Sequence, residues 1–481
     1  MKHLSTAMLA LVCILFSGCM VGPRYVKPSA PLAPAYKEEA LSVAEDGWKV
    51  AQPADTALRG EWWEVFNDPQ LNALEEQIAT SNQSLKIAES HSREARAMIG
   101  YNRAAEAPTI SVGPSIGSLR DSQNQPYFNQ SAANNGGGNF LLPVDLSYEI
   151  DLWGRIRRSV NAARENAQSS AADLATAQLS LQAELAIDYF ELRDADSQQA
   201  LLSDTVQAYQ QALQLTQNRF EGGASPKSDV TQAATQLQQA QVQLTDVGVL
   251  RAQYEHAVAT LIGEPPASFS LPAAPMHAAP PAMVPGLPSE LLERRPDIAS
   301  AERQMAQANE QIGIARAAYF PTLGLGGEAG FEGASALNWL TWPSRFWSVG
   351  PTFSETLFDA GRRRASSQMA LANYDATVAN YRQTTLTALQ EVEDNLAALR
   401  ILDAEAQQQH QATAAAEESL TLFNNRYQGG VDTYLQVITS QTTALQNERN
   451  DIDIQRRRMD ATVLLIKALG GGWTTVSLPK L

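Results

Sequence analysis

Apolar residues recur three and four apart along most of this chain and alternate with polar ones over short stretches. Asp68 and Pro69 suit a helix cap and a first helical position, and Leu71, Leu74, Ile78, Leu85 and Ala88 continue as a stripe that predicts a helix to about Ala105. Pro108 stops it. The period then changes to two. Thr109-Ile110-Ser111-Val112-Gly113 and Val144 to Ile150 alternate, with a turn cluster at Asn134 to Gly138 between them, which predicts two strands with one wet face. From Arg155 the helical period returns through Ile156, Val160, Ala163, Ala167, Ala171, Leu174, Leu181, Leu185 and on to Leu213. Neither Gly nor Pro interrupts Arg155 to Glu221, so the helix would run about 65 residues, roughly 100 Å. Coiled coils reach such lengths and globular helices rarely do. Gly222 and Gly223 break it. Ser225 as cap and Pro226 as first helical residue then open a second helix with a seam from Val230 to Leu261.

The plan is then written again. After a Pro-rich link, Pro265 to Pro288, come a helix over Leu291 to Ala318 and strands over Pro321 to Phe331 and around Phe346 to Phe358. A long helix over Arg362 to Tyr427, a break at Gly429-Gly430 and a return helix over about Thr433 to Leu469 complete the second copy. Asn218-Arg219-Phe220-Glu221-Gly222-Gly223 reappears 207 residues later as Asn425-Arg426-Tyr427-Gln428-Gly429-Gly430. The same offset joins Gly154-Arg155 to Gly361-Arg362, Arg193 to Arg400 and Val230 to Val437. The expected organisation is a signal segment 1–18, an N-terminal tether 19–60, a first repeat 61–264, the link 265–288, a second repeat 289–472 and a tail 473–481.

The N-terminus adds a location. A short basic start precedes a largely apolar run, Leu4 to Phe16, too short for an ordinary membrane span. It ends in Leu15-Phe16-Ser17-Gly18-Cys19, which resembles a bacterial lipobox and makes Cys19 the expected lipidation site; ordinary secretion with an incidental Cys19 is the plainer alternative. Met20 stands where an inner-membrane lipoprotein would carry Asp, which implies the outer membrane. The chain has two cysteines, Cys13 and Cys19, so no disulfide framework is possible in the body. The net charge of −16 argues against a nucleic-acid partner. No later apolar run is long enough for a membrane helix, so a spanning segment would have to be closed β-structure. Four strands per chain cannot close, but three copies would supply twelve. Aromatics including Tyr127, Phe128, Phe140, Tyr148, Trp153, Trp339, Trp342, Phe346, Trp347, Phe353 and Phe358 fall in the strand regions, either as membrane-interface girdles or as the core of a soluble β-domain.

Several segments together resemble the outer-membrane efflux family that includes TolC and OprM, in its lipoprotein (NodT-type) branch. They are Trp62-Trp63 with Phe66 and Asp68-Pro69; Arg294-Arg295-Pro296-Asp297-Ile298 with Ala301-Glu302; Ala308-Asn309 and Gln311 to Pro321; and Arg426-Tyr427 followed by Gly430 to Leu435. The resemblance implies an α+β membrane protein. Twelve strands in a homotrimer would form a transmembrane β-barrel, continued by a long periplasmic α-helical coiled-coil barrel. It also implies an exit duct that passively exports small molecules, working with a periplasmic adaptor and an inner-membrane transporter.

On that resemblance Asp432 is the first functional candidate, because an acidic residue there rings the closed periplasmic aperture of the trimer. Three adjacent carboxylates would repel one another, so a small rotation could open or close the ring. Its repeat mate is Ser225, and both types also make good helix caps. Asp229 sits at a matching acidic position, where it also suits the first turn of a helix. Arg219, Arg426 and Tyr427 would join the network that holds the tips shut, or the arginines would merely complement helix C-termini. The turns Gly222-Gly223 and Gly429-Gly430 would meet the adaptor. The resemblance lapses at Ile438 to Gln441, where the family often carries an acidic residue.

No enzyme is expected. Gly324-x-Gly326-x-x-Ala329 follows a strand, but no helix follows it, so the phosphate site of a dinucleotide fold is missing. The five histidines share no ligand spacing, and neither metal nor cofactor is expected. A periplasmic coiled-coil adaptor or structural lipoprotein is the alternative; it explains the helices but not the strands.

Overall fold

The structure is a computed structural model that describes residues 20–38, 60–120, 137–276 and 288–473, with isolated positions at 122, 124, 126, 280, 281, 478 and 479. The signal segment, Cys19, Tyr127, Phe128 and most of the turn cluster before Gly137 lie outside them. The two halves fold alike. The first contains α1 (Pro69–Ser81), α2 (Gln83–Arg103), β1 (Thr109–Val112), β2 (Ser115–Leu119), β3 (Gly137–Ile150), α3 (Arg155–Glu221) and α4 (Lys227–Leu261). The second contains a helical turn at Leu291–Arg294, then α5 (Pro296–Ala317), β4 (Thr322–Gly333), β5 (Arg345–Ser354), α6 (Arg362–Gln428) and α7 (Tyr434–Ala468).

α3 and α6 are each 67 residues, so each reaches roughly 100 Å. Each packs against its return helix, α4 or α7, at one end and against α2 or α5 at the other, while α3 also touches α5 and α7. Buried alanines such as Ala163, Ala167, Ala183, Ala186 and Ala240 permit the close approach of these helices.

Five antiparallel strands make a sheet four strands wide. β1 and β2 both pair with β3, β3 pairs with β4, and β4 pairs with β5. The first predicted strand, Thr109 to Gly113, ends at Val112; Gly113-Pro114 interrupts the ladder, because Pro has no N–H for it, and β2, which the sequence reading did not include, resumes the pairing with β3. The predicted strand to Phe358 ends at Ser354.

Other boundaries also differ from the sequence expectation. The helix expected over 69–105 is interrupted at Asn82, whose Oδ1 accepts from Leu85 N at 2.9 Å and whose Nδ2 donates to the Leu261 carbonyl at 2.7 Å. A buried side chain that caps one helix and grips another outweighs the continuing Leu stripe. The helix expected from Leu291 breaks at Arg295, which is extended at φ −99° and ψ 121°, as a residue before Pro296 prefers. Ser225 does not cap α4. Pro226 occupies the cap position with helix starting at Lys227, and Ser225 Oγ turns back to the Thr216 carbonyl at 3.5 Å.

Among the described residues, the two largest cores flank the helices. One gathers Trp62, Trp63, Phe66, Leu71, Leu74, Ile78, Tyr189 and Phe190; the other joins Tyr36, Leu291, Ile298, Met305, Tyr381 and Leu465. Tyr36 belongs to the segment read as a plain tether, yet only 2% of it is exposed. Its described part, residues 20–38, is a docked strap. Its Val21 N–H donates to the Trp153 carbonyl at 3.1 Å, and the buried Arg158 donates from Nε to the Val21 carbonyl at 2.7 Å. Lower down, Glu38 pairs with Arg400 at 2.8 Å.

Candidate functional site

The register divides the sheet into two chemically distinct faces. On one, Val112 lies opposite Val144, which lies opposite Ala329, which lies opposite Trp347. Ile110, Leu146, Gly327 and Val349 form the next row, and Leu323 opposite Phe353 another. Several of these side chains are exposed although apolar: Ile110 is 65%, Trp347 74% and Phe353 69% accessible. On the other face Asp145 lies opposite Glu328 and Ser348, while Glu149 lies opposite Gly324 and Thr352. The sheet therefore shows hydrocarbon outward and polar groups inward, and among the described residues its outer edges, β1/β2 and β5, have no partner strand.

Aromatics mark both ends of the apolar face. Trp339 lies 5.6 Å from Phe140 at one end, near exposed Trp342. At the other, Trp153 stacks on Phe320 at 4.7 Å and donates from Nε1 to the Pro321 carbonyl at 2.7 Å. Among the described residues no helix is long and apolar enough to cross a membrane. Among the helices, α2, α3, α5 and α6 line an open concavity of about 800 Å³ whose walls are mainly polar, among them Glu94, Asn166, Asp173, Gln304, Gln311 and Asn373.

At the far end of the helices, each hairpin turns through two glycines. Gly223 N–H donates to the Phe220 carbonyl and Ala224 N–H to the Arg219 carbonyl; Gly430 and Val431 repeat this with Tyr427 and Arg426. The pattern closes a helix C-terminus with a left-handed residue, and Gly223 at φ +76° and Gly430 at φ +75° supply it.

The structure brings the predicted tip residues together, in an arrangement the sequence did not convey. Arg219 crosses from the first hairpin to the second. Its NH1 donates to the Tyr427 carbonyl at 3.1 Å and to that of Gln428 at 3.3 Å, and its guanidinium lies 4.6 Å from the Tyr427 ring centre. A cation thus sits on the negative end of α6. Tyr427 in turn packs 5.2 Å from Tyr434, in a cluster with Ala233 and Val437. Burial foremost, with Tyr427 and Asp229 adding to it, pushes the Tyr434 hydroxyl up to about 12. Asp229 occupies the first turn of α4 on this side.

Arg426 behaves differently from its repeat mate. It stays within its own turn, with Nε donating to Asp432 Oδ2 at 2.8 Å. Asp432 is not the cap of α7: Thr433 holds that position, and among the described residues the carboxylate accepts from Thr433 N at 3.3 Å and from Arg426. An arginine one turn back outcompetes the capping role. Tyr434 escaped the sequence reading as a tip residue; its repeat position is Lys227, so no internal echo flagged it.

Midway along the helices, Arg456 joins Glu191, Asp453 and Asp460. Burial pushes Asp194 and Asp460 up to about 7 and Asp188 to about 6.

The chain matches the family described as Outer membrane efflux protein over residues 74–264 and 287–471. It is 32% identical to Outer membrane protein OprJ of Pseudomonas aeruginosa, covering 96% of this chain and 95% of that one. It is 30% identical to the Pyoverdine export outer membrane protein OpmQ of the same organism, over 98% of this chain and 97% of that one. The solved structure of the outer-membrane channel OprN aligns with a TM-score of 0.85 at 28% identity, covering 95% of this chain and all of that one, 100%.

Proposed function

The chain belongs to the outer membrane efflux protein family, the outer-membrane channels of efflux pumps, and on that premise we propose that three copies of it close into one exit duct. The observation that carries this reading is the sheet: one exposed apolar face, one polar face and two free edges. An edge left open in lipid costs several kcal/mol per unpaired backbone group, so the strands must be completed by further copies. Three sheets four strands wide give a twelve-strand barrel, within the range of such barrels. In this reading the polar concavity between α2, α3, α5 and α6 lines part of the passage.

The lipid anchor at Cys19 is part of the same proposal. Met20 lies against Gly154, beside the stacked Trp153 and Phe320. Aromatics of that kind favour the membrane interface, which supports an anchor close to this end of the sheet.

Transport through the duct is passive; the inner-membrane transporter supplies energy and a periplasmic adaptor joins the two at the turns Gly222-Gly223 and Gly429-Gly430. The aperture is controlled by Asp432, Asp229, Arg426, Tyr427 and Arg219. The relatives suggest small organic cargo, as the pyoverdine named for OpmQ does. The sheet disfavours the adaptor or structural-lipoprotein alternative, which has no use for a two-faced β-structure.

Fractionation tests the assignment. Full-length protein should be found in outer-membrane fractions and migrate as a heat-resistant trimer that palmitate labelling marks and Cys19→Ala leaves unlabelled. A monomer in the soluble periplasmic fraction contradicts it.

A further inference from the structure

Among the described strand positions of the apolar face, one side chain carries a charge. Arg345 opens β5 opposite Phe331, one row beyond Trp347 on the same side, and is exposed. The acidic residues of these strands alternate onto the other face: Asp145 lies opposite Glu328, Glu149 opposite Gly324 and Glu332 opposite Leu141. No described carboxylate pairs with Arg345. Its guanidinium lies 4.0 Å from the ring centre of Trp342, and NH1 donates to the Trp342 carbonyl at 2.9 Å.

The height of this cation on the sheet matters. Along β4 the Phe331 row is 331 − 323 = 8 residues from the Leu323 row, about 26 Å of strand and about 20 Å of height at the usual tilt of a barrel. Leu323 lies at the helix end, near Phe320 and Trp153. Arg345 therefore marks the opposite boundary of the apolar band, away from the helices. A cation at the edge of hydrocarbon is costly without a counter-ion. The connection between β4 and β5 holds it there: Trp339 Nε1 donates to the Phe331 carbonyl at 3.3 Å, and Ser344 Oγ to the Asn338 carbonyl at 2.6 Å. Stacking on Trp342 covers one face of the guanidinium and leaves its edge to donate, a fork that matches two oxygens of a phosphate.

We propose that Arg345 and Trp342 bind a phosphorylated lipid of the outer leaflet, its phosphate on the guanidinium and an acyl chain running past Trp347 and Val349. The inference rests on the duct reading, in which this face meets lipid. Charge complementarity selects the headgroup, because Arg345 is the cation of an otherwise apolar face. Continuity with the exposed Trp347 and Val349 selects a lipid over a free anion.

Titration of full-length protein, purified in detergent and freed of bound lipid, tests it. The probes are diphosphorylated lipid A, the same lipid stripped of phosphate, and inorganic phosphate. Wild-type trimers should bind the phosphorylated lipid well above the other two. Arg345→Gln should weaken that binding by about tenfold or more, and Arg345→Lys, which keeps the charge but not the fork, by less. Both variants should remain heat-resistant trimers, since the side chain is exposed. Arg93→Gln removes an exposed arginine on α2 and should change nothing. Equal binding by wild type and Arg345→Gln, equal loss in Arg93→Gln, or inorganic phosphate binding as tightly as the lipid overturns this proposal while conducting trimers uphold the duct. Protein that neither trimerises nor conducts contradicts the duct reading, and this proposal with it.

Discussion

Arg219 donates to the Tyr427 carbonyl at 3.1 Å while its guanidinium covers the same residue's ring at 4.6 Å, so one side chain fastens the two hairpins of a chain at their tips. Arg219→Ala removes the cation from the α6 terminus and uncovers the ring. The expected loss is about 1–2 kcal/mol of local stability, discounted because the contact is partly exposed. Hydrogen exchange at 425–434 should quicken and closed-state leakage of ions should rise. Unchanged exchange and leakage would reduce Arg219 to a solvated surface residue.

The two glycines of each turn should respond differently to substitution. Gly430 lies at φ +75° with open space around it, so Gly430→Ala is strained by backbone conformation alone, by about 1–2 kcal/mol. Gly429 lies at φ −72° with a tolerable contact for a Cβ, 3.4 Å from the Asn425 carbonyl. Gly429→Ala should cost well under half as much. Urea unfolding of the helical signal would reveal equal costs if the turn geometry were different.

Arg158 fixes the strap. It donates to Val21 and Pro23, pairs with Glu310 at 2.8 Å, and occupies the space above Gly313 that a Cβ would need. Removing the arginine strands a half-buried carboxylate, with an expected cost of about 3–5 kcal/mol. Limited proteolysis should then cut within 21–36, and Glu310→Gln should recover part of the loss. A strap still protected in Arg158→Ala would place its docking elsewhere.

Asp194 and Asp460 create a pH dependence. Burial pushes both up to about 7, so the folded chain binds their protons more tightly than the unfolded one. Their stabilising protonation is fully present below the ordinary aspartate range and is lost as pH rises toward 7. Asp460→Asn should raise the melting temperature at pH 8, by about 1–3 kcal/mol in stability, and have little effect at pH 4. Glu75, fully buried without a side-chain partner, is raised for the same reason and shifts the profile the same way. A gain of equal size at both pH values would exclude a proton-linked origin.

Much of this fold could be read from periodicity. The two long helices, the break at each glycine pair and the wet and dry faces of β3 follow from spacings of 3.6 and 2. β4 was harder, because its inward positions include Gly324, Gly326 and Gly330, which carry no side chain to alternate. The break at Asn82 was hidden because its second partner, Leu261, is 179 residues away. The tip was legible as a set of residues but not as a set of contacts. Cap preference treats Asp432 as a local residue, whereas its partner Arg426 lies across a turn, and Tyr434 gains its place only once two hairpins stand side by side. The strap was misread for a related reason: an extended, Pro-rich segment has no period to betray the buried Tyr36.

The central claim is that this two-faced sheet is one third of a barrel open to water. Single-channel recording of purified full-length protein in planar bilayers tests it most directly. Trimers that insert and give discrete conductance steps, opened further by Arg219→Ala, are the predicted result. Protein that stays monomeric and yields no steps at any voltage would contradict the account.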